Sequence, residues 1–127
     1  MSDSYGVRVD VQFDASHRLA ADGAAVALHE HRWRVSACAA SEQLDRIAIV
    51  VDFRKLRQQT EDLVARLQGR ILEETPELSD TDASPLAVAQ WLLEQLREQA
   101  AGETYRIAKV TVGCDPRIDF TVGEAEG

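Results

Sequence analysis

The chain has 127 residues, 45 % of them hydrophobic and 28 % charged, which suits one folded domain over residues 1–127 and excludes a disordered chain. Its formal charge of −8 is a poor basis for gripping nucleic acid or an anionic membrane surface, both of which need clustered Lys and Arg. No apolar run approaches the roughly 20 residues of a membrane helix, and no signal peptide opens the chain, so a cytoplasmic protein is expected. Its two cysteines, Cys38 and Cys114, then read as reduced residues packed in strands.

Residues 5–13 alternate, with Val7, Val9, Val11 and Phe13 on one face and Arg8, Asp10 and Gln12 on the other. That is the period of a half-buried antiparallel strand. Ala20 to Ala27 is small, Gly-containing and aperiodic, and is expected to be a loop. A second strand is expected over 29–40, with Trp33, Val35, Ala37 and Ala39 sharing a face with His29 and His31. Ser41 to Asp45 reads as a turn and Arg46 to Asp52 as a third strand.

Phe53, Leu56, Leu63, Val64, Leu67 and Ile71 recur at helical spacing, with Asp52 as N-cap. Thr75 to Ala83 carries Pro, Ser and acids and reads as a loop. Ser84-Pro85 is a helix start, and that helix runs to about Ala101 before Gly102. A last strand is expected over 104–114, ended by Pro116, with a frayed tail from Gly123. Antiparallel strands with two helices on one face make an α+β domain.

The three histidines of the chain lie close in sequence. His17 is expected just after the first strand, and His29 and His31 open the second. Residues i and i+2 of a strand point the same way, so an HxH pair aims two imidazoles at one place. If the first two strands pair, His17 joins them across the eleven-residue connection. Three neutral nitrogen donors around a tetrahedral zinc ion leave a fourth position open, the catalytic rather than the structural arrangement. By itself an HxH pair is more often two surface histidines. Arg18, Arg32 and Arg34 would be poor neighbours for a cation, although alternation turns Arg32 and Arg34 to the opposite face. Trp33 and Trp91 lie on the apolar periodicity of their elements and read as core.

Three stretches carry a family resemblance. Phe13-Asp14-Ala15-Ser16-His17-Arg18-Leu19, Leu28-His29-Glu30-His31-Arg32-Trp33 and Val51-Asp52-Phe53-Arg54-Lys55-Leu56 resemble motifs of the 6-pyruvoyl- and 6-carboxytetrahydropterin synthases, over roughly residues 5–115. The resemblance implies the tunnelling fold, an oligomeric barrel of strands built by a homo-oligomer, a trimer or a hexamer, with sites between subunits. It implies Zn2+ on His17, His29 and His31, a reduced pterin such as dihydroneopterin triphosphate as substrate, and lyase chemistry.

The chain departs from that pattern where the family moves protons. Ala25 stands where the family has its catalytic cysteine, and Leu67-Gln68-Gly69 where it has Leu-Asp-His. Neither Gln68 nor Gly69 can act as a general base. Cys38 does not replace the missing thiol, because parity places it on the other strand face from the histidines. Cys114 stands where a glutamate anchors the pterin, and Asp115 is the candidate to replace it if the strand end is bulged. Glu30 replaces the small residue between the two histidines, as a solvated strand residue or as an acid/base group delivered to a neighbouring subunit. These departures imply altered or weak lyase activity, or a zinc-dependent binding or scaffold protein without turnover.

Overall fold

The computed structural model describes residues 5–19, 25–42 and 53–124. Strand β1 spans Tyr5–Leu19 and β2 Ala25–Ser41; helix α1 spans Phe53–Ala65 and α2 Pro85–Gln99; β3 spans Arg106–Asp115 and β4 Ile118–Gly123. The four strands form one antiparallel sheet in the order β1-β2-β3-β4. The expected α+β class, with an antiparallel sheet and two helices, is therefore the class observed.

The alternation predicted for the first strand is realised. Val9, Val11, Phe13 and Ala15 are buried, as are Trp33, Val35, Ala37 and Ala39 of β2 and Val110 and Val112 of β3. These inward residues meet Leu56 and Leu63 of α1, Leu67 beyond it, and Val88, Leu92 and Leu96 of α2, in one core. Trp33 is fully buried, stacks on Phe13 at 5.7 Å, and donates from Nε1 to the Ala15 carbonyl at 3.1 Å. Trp91 packs against the core as a partly buried residue.

Helix α2 begins as its sequence dictates. Ser84 is the N-cap, its hydroxyl accepting the Ala87 N–H at 3.1 Å, and Pro85 opens the first turn. Other elements differ from expectation. The first strand continues past Phe13 to Leu19, and the second begins at Ala25, so Ala25 to Ala27 of the expected loop are strand. Helix α1 ends at Ala65 rather than near Ile71. Gly69 takes φ +71° and turns its N–H onto the Asp14 carbonyl at 2.7 Å, and Ile71 bridges in parallel to Ser16. Phe53, read as part of the apolar stripe, is 57 % exposed. Strand β4 lies before the expected tail, where no element was expected: Asp115 Oδ1 accepts the Arg117 N–H at 2.8 Å, making a tight turn around Pro116 that returns the chain along β3. The expected third strand at Arg46–Asp52 and the Asp52 cap lie outside the described residues.

Candidate metal centre

The strand extension decides where the histidines go. His17 lies within β1, directly opposite His29 of β2, and Ala15 is opposite His31. All three imidazoles therefore share the inward face beyond Trp33. Their ring centroids are 4.7 Å apart for His17 and His29, 5.1 Å for His17 and His31, and 4.6 Å for His29 and His31. The register shift between His17 and Leu19 comes just after this triad.

His17 is buried, at 4 % exposure, whereas His29 and His31 are half-buried and open toward the surface. The backbone around His17 is clamped from the side opposite β2. Ser16 N donates to the Arg70 carbonyl at 2.9 Å, and Arg18 N donates to Glu73 Oε2 at 2.6 Å. The turn after α1 thus serves as a short extra strand that holds the end of β1.

Two of the rings have fixed tautomers. His17 Nδ1 lies 3.0 Å from the Ala83 carbonyl, and His29 Nδ1 lies 3.0 Å from the Ala27 carbonyl. A carbonyl only accepts, so Nδ1 is the donor in both, and Nε2 is the nitrogen left to face a metal in the neutral ring. This is how metal-binding histidines are commonly oriented. The Ala83 carbonyl is itself held in an unusual geometry. Ala83 has φ +52°, its N–H donates to Thr81 Oγ1 at 3.0 Å, and the next N–H, of Ser84, donates to Asp82 Oδ1 at 3.0 Å. A buried alanine in the left-handed region marks a backbone held by its surroundings.

The arginines near the cluster are drawn off to carboxylates. Arg32 pairs with Asp14 at 2.9 Å, Arg34 with Asp119 at 2.6 Å, and Arg18 with Glu74 at 3.3 Å. Burial holds the His31 pKa below the ordinary imidazole value, reinforced by His17 and His29 and opposed by the Asp115 carboxylate. His31 therefore stays neutral to lower pH than a free imidazole, the state a metal requires.

Cys114 joins His17 and His31 in one donor group, which does not include His29. The donor atoms of His17, His31 and Cys114 all lie within 4.8 Å of one another, so these residues could hold a metal ion. Tetrahedral zinc with bonds of about 2.0–2.3 Å separates its ligands by roughly 3.3–3.8 Å. Closure onto an ion of that size would require side-chain shifts on the order of 1 Å. By sequence alone Cys114 reads as a packed strand residue. The signal for it was parity along β3, where Val110, Val112 and Cys114 share the inward face, but only the β2–β3 register reveals what that face meets.

The remaining candidates lie elsewhere. Glu30 is exposed between the two β2 histidines, opposite Ser16, on the face where its charge acts on Arg32. Within one chain it does not join the imidazoles, a placement that accords with a solvated strand residue and equally with delivery to a neighbouring subunit. Asp115 sits where the β3–β4 ladder shifts, so the strand end is bulged as its candidacy requires. Its carboxylate is held below the usual range chiefly by the Arg117 backbone N–H, with the Arg117 side chain adding to it. Ala25 pairs with Leu19 at the start of β2. Gln68 and Gly69 serve as a latch: Gln68 Oε1 accepts the Asp14 N–H at 3.1 Å, and Gly69 N–H meets the Asp14 carbonyl. Cys38 pairs with Arg8 and Lys109, away from the histidines.

Among solved structures, this fold is shared with the 6-pyruvoyl tetrahydropterin synthase of Caenorhabditis elegans, at 20 % identity and a TM-score of 0.78, covering 98 % of both chains. An uncharacterized protein of Wolinella succinogenes aligns at 18 % identity and a TM-score of 0.79, over 98 % of this chain and all of its own. The 6-pyruvoyl tetrahydropterin synthase of Plasmodium falciparum aligns at 20 % identity and 0.75, over 96 % of this chain and 98 % of its own. No curated protein matches at the sequence level. No helix among the described residues is long and apolar enough to cross a membrane. The profile of the 6-pyruvoyl tetrahydropterin synthase family matches residues 6–123, and the chain belongs to that family.

Proposed function

We propose that this protein holds zinc through His17, His29 and His31 and takes a reduced pterin or a closely related ligand, with ordinary synthase turnover weak or absent. The observation that carries this reading is the convergence of three imidazoles, with ring centroids 4.6–5.1 Å apart, in a chain of a pterin synthase family. The Nδ1–carbonyl bonds of His17 and His29 support it, since they leave Nε2 of each ring for the ion. Zinc, when bound, supplies a Lewis acid for a side-chain hydroxyl or carbonyl oxygen of the ligand.

The chain's own residues account for the weak turnover. Ala25 carries no exchangeable side-chain proton, and Gln68 and Gly69 are engaged in holding the end of α1 to β1. Proton transfer by a positioned side chain is worth about 10²- to 10⁴-fold in rate, so turnover should fall below that of an intact synthase by at least that factor. A carboxylate can serve this fold: a Plasmodium vivax synthase, 18 % identical, has a glutamate as a catalytic residue. In this chain the carboxylate whose charge reaches His31 is Asp115, which we assign to ligand binding; Glu30 would serve a neighbouring subunit's site.

In this reading the protein is a homo-oligomer, a trimer or hexamer in a ring of strands. Among the described residues, β1 and β4 are the sheet's two edges; the turn after α1 covers β1 from Asp14 onward, which leaves Tyr5 to Phe13 as its edge. Such an edge is a template for pairing with a further chain. A second reading, a zinc-dependent binding or scaffold protein without turnover, is favoured by the purely structural use of Gln68 and Gly69. We further assign the protein to the cytoplasm.

One experiment separates these readings. Zinc-loaded protein is mixed with dihydroneopterin triphosphate, product formation is followed, and binding is measured by calorimetry in the same sample. Binding with turnover at least about 100-fold below that of an intact synthase supports the first reading. Metal without pterin binding supports the scaffold. Ordinary turnover overturns the account of the lost proton relay.

A further inference from the structure

We infer that Cys114 is a fourth protein ligand to the metal, so that the site is a closed centre of three histidines and one cysteine rather than an open three-histidine centre. This inference rests on the reading that the histidines hold zinc. Its starting point is geometric: Cys114 Sγ belongs to the same 4.8 Å group as donor atoms of His17 and His31.

Three features of the fold aim that sulfur. The first is register. Arg34 lies opposite Gly113, so Cys114 comes abreast of Trp33 and shares the inward face with Val110 and Val112. Trp33 in turn stands against the imidazoles, 5.1 Å from the His17 ring and 6.4 Å from the His31 ring. The second is the register shift in the β3–β4 ladder between Val112 and Asp115, an irregularity of the kind that re-aims side chains at a strand end. The third is a clamp across this irregularity. Arg34 Nη2 donates to the Asp115 carbonyl at 3.0 Å and to Asp119 Oδ1 at 2.6 Å, passing directly over Gly113. A Cβ at Gly113 would collide with Arg34, with Asp119 and with the Ile118 carbonyl, so only glycine admits the clamp.

The donor set suits zinc, which takes imidazole and thiolate in tetrahedral sites. On binding, the thiol proton is released to solvent, a Zn–S bond forms, and no oxidation or reduction occurs. Four protein ligands leave no vacant tetrahedral position. A ligand oxygen then reaches the ion only by displacing the thiolate or by expanding the coordination to five.

X-ray absorption at the zinc edge of the zinc-loaded protein tests this directly. The expected shell is one sulfur at about 2.3 Å and three nitrogens at about 2.0–2.1 Å, and Cys114→Ser should convert it to nitrogen and oxygen alone. Alkylation mapped by mass spectrometry gives an independent reading on the unmutated protein. Cys114 modification should slow at least tenfold on zinc loading and recover on chelation. A nitrogen/oxygen shell in wild-type protein holding one zinc, with Cys114 alkylated at an unchanged rate, overturns the sulfur ligand and leaves the three-histidine reading standing. Protein that retains no zinc overturns both.

Discussion

Ala83 joins the backbone to the proposed metal site, and substituting it separates strain from packing. It is fully buried, has φ +52°, and offers its carbonyl to His17 Nδ1 at 3.0 Å. Ala83→Gly removes a left-handed penalty of about 1–2 kcal/mol. It also removes a buried methyl worth about 0.8 kcal/mol and adds unfolded-state entropy worth about 0.4–1 kcal/mol. These offset, so the glycine variant should stay within about 1 kcal/mol of wild type. Ala83→Val puts a β-branched residue where φ is positive, costing about 1–3 kcal/mol, and overfills a closed site for about 1–3 kcal/mol more. The two sum to about 2–6 kcal/mol, which at about 4 °C per kcal/mol for a domain of this size lowers the melting temperature by roughly 8–24 °C. Displacing the carbonyl also frees the His17 ring, and loss of such a partner costs about 10- to 100-fold in metal affinity. Thermal unfolding and competition with a chromophoric chelator measure both. A valine variant that melts with wild type and binds zinc equally well refutes the strained-carbonyl argument, as does a glycine variant as damaged as the valine one.

Other perturbations have defined sizes. Trp33→Phe keeps an aromatic ring but strips the Ala15 carbonyl of its Nε1 donor, and should cost about 1–3 kcal/mol in urea unfolding. Ser84→Ala removes the α2 cap and should cost about 1 kcal/mol by the same assay. Arg32→Ala breaks only the exposed pair with Asp14 and should cost less than about 1 kcal/mol, an internal control for the buried substitutions. Free zinc at about 100 times its dissociation constant should stabilise the fold by about 2.7 kcal/mol, and excess chelator should remove that increment in calorimetry.

Local chemistry was legible where neighbouring residues settle the outcome. The alternation of Val7 to Phe13 and the Ser84-Pro85 start depend on short-range geometry, and both hold in the structure. The end of α1 was not legible, because Leu67 and Ile71 keep helical spacing while the stop comes from Gly69 turning to Asp14, far earlier in the chain. Strand β4 was missed although Ile118, Phe120 and Val122 alternate, because Pro116 reads as a terminator until the Asp115 side chain closes the turn. The same limit applies to the site. His29 and His31 announce themselves by spacing, and His17 follows if the strands pair. Cys114 lies two helices beyond His31 and enters only through the register of β3 on β2.

Metal stoichiometry tests the central claim most directly. Elemental analysis of wild-type protein purified with zinc, beside His31→Ala handled identically, should find one zinc per chain in the first and none in the second, with both folded by circular dichroism. Wild-type protein without metal, or His31→Ala protein that keeps its full complement, would contradict the account.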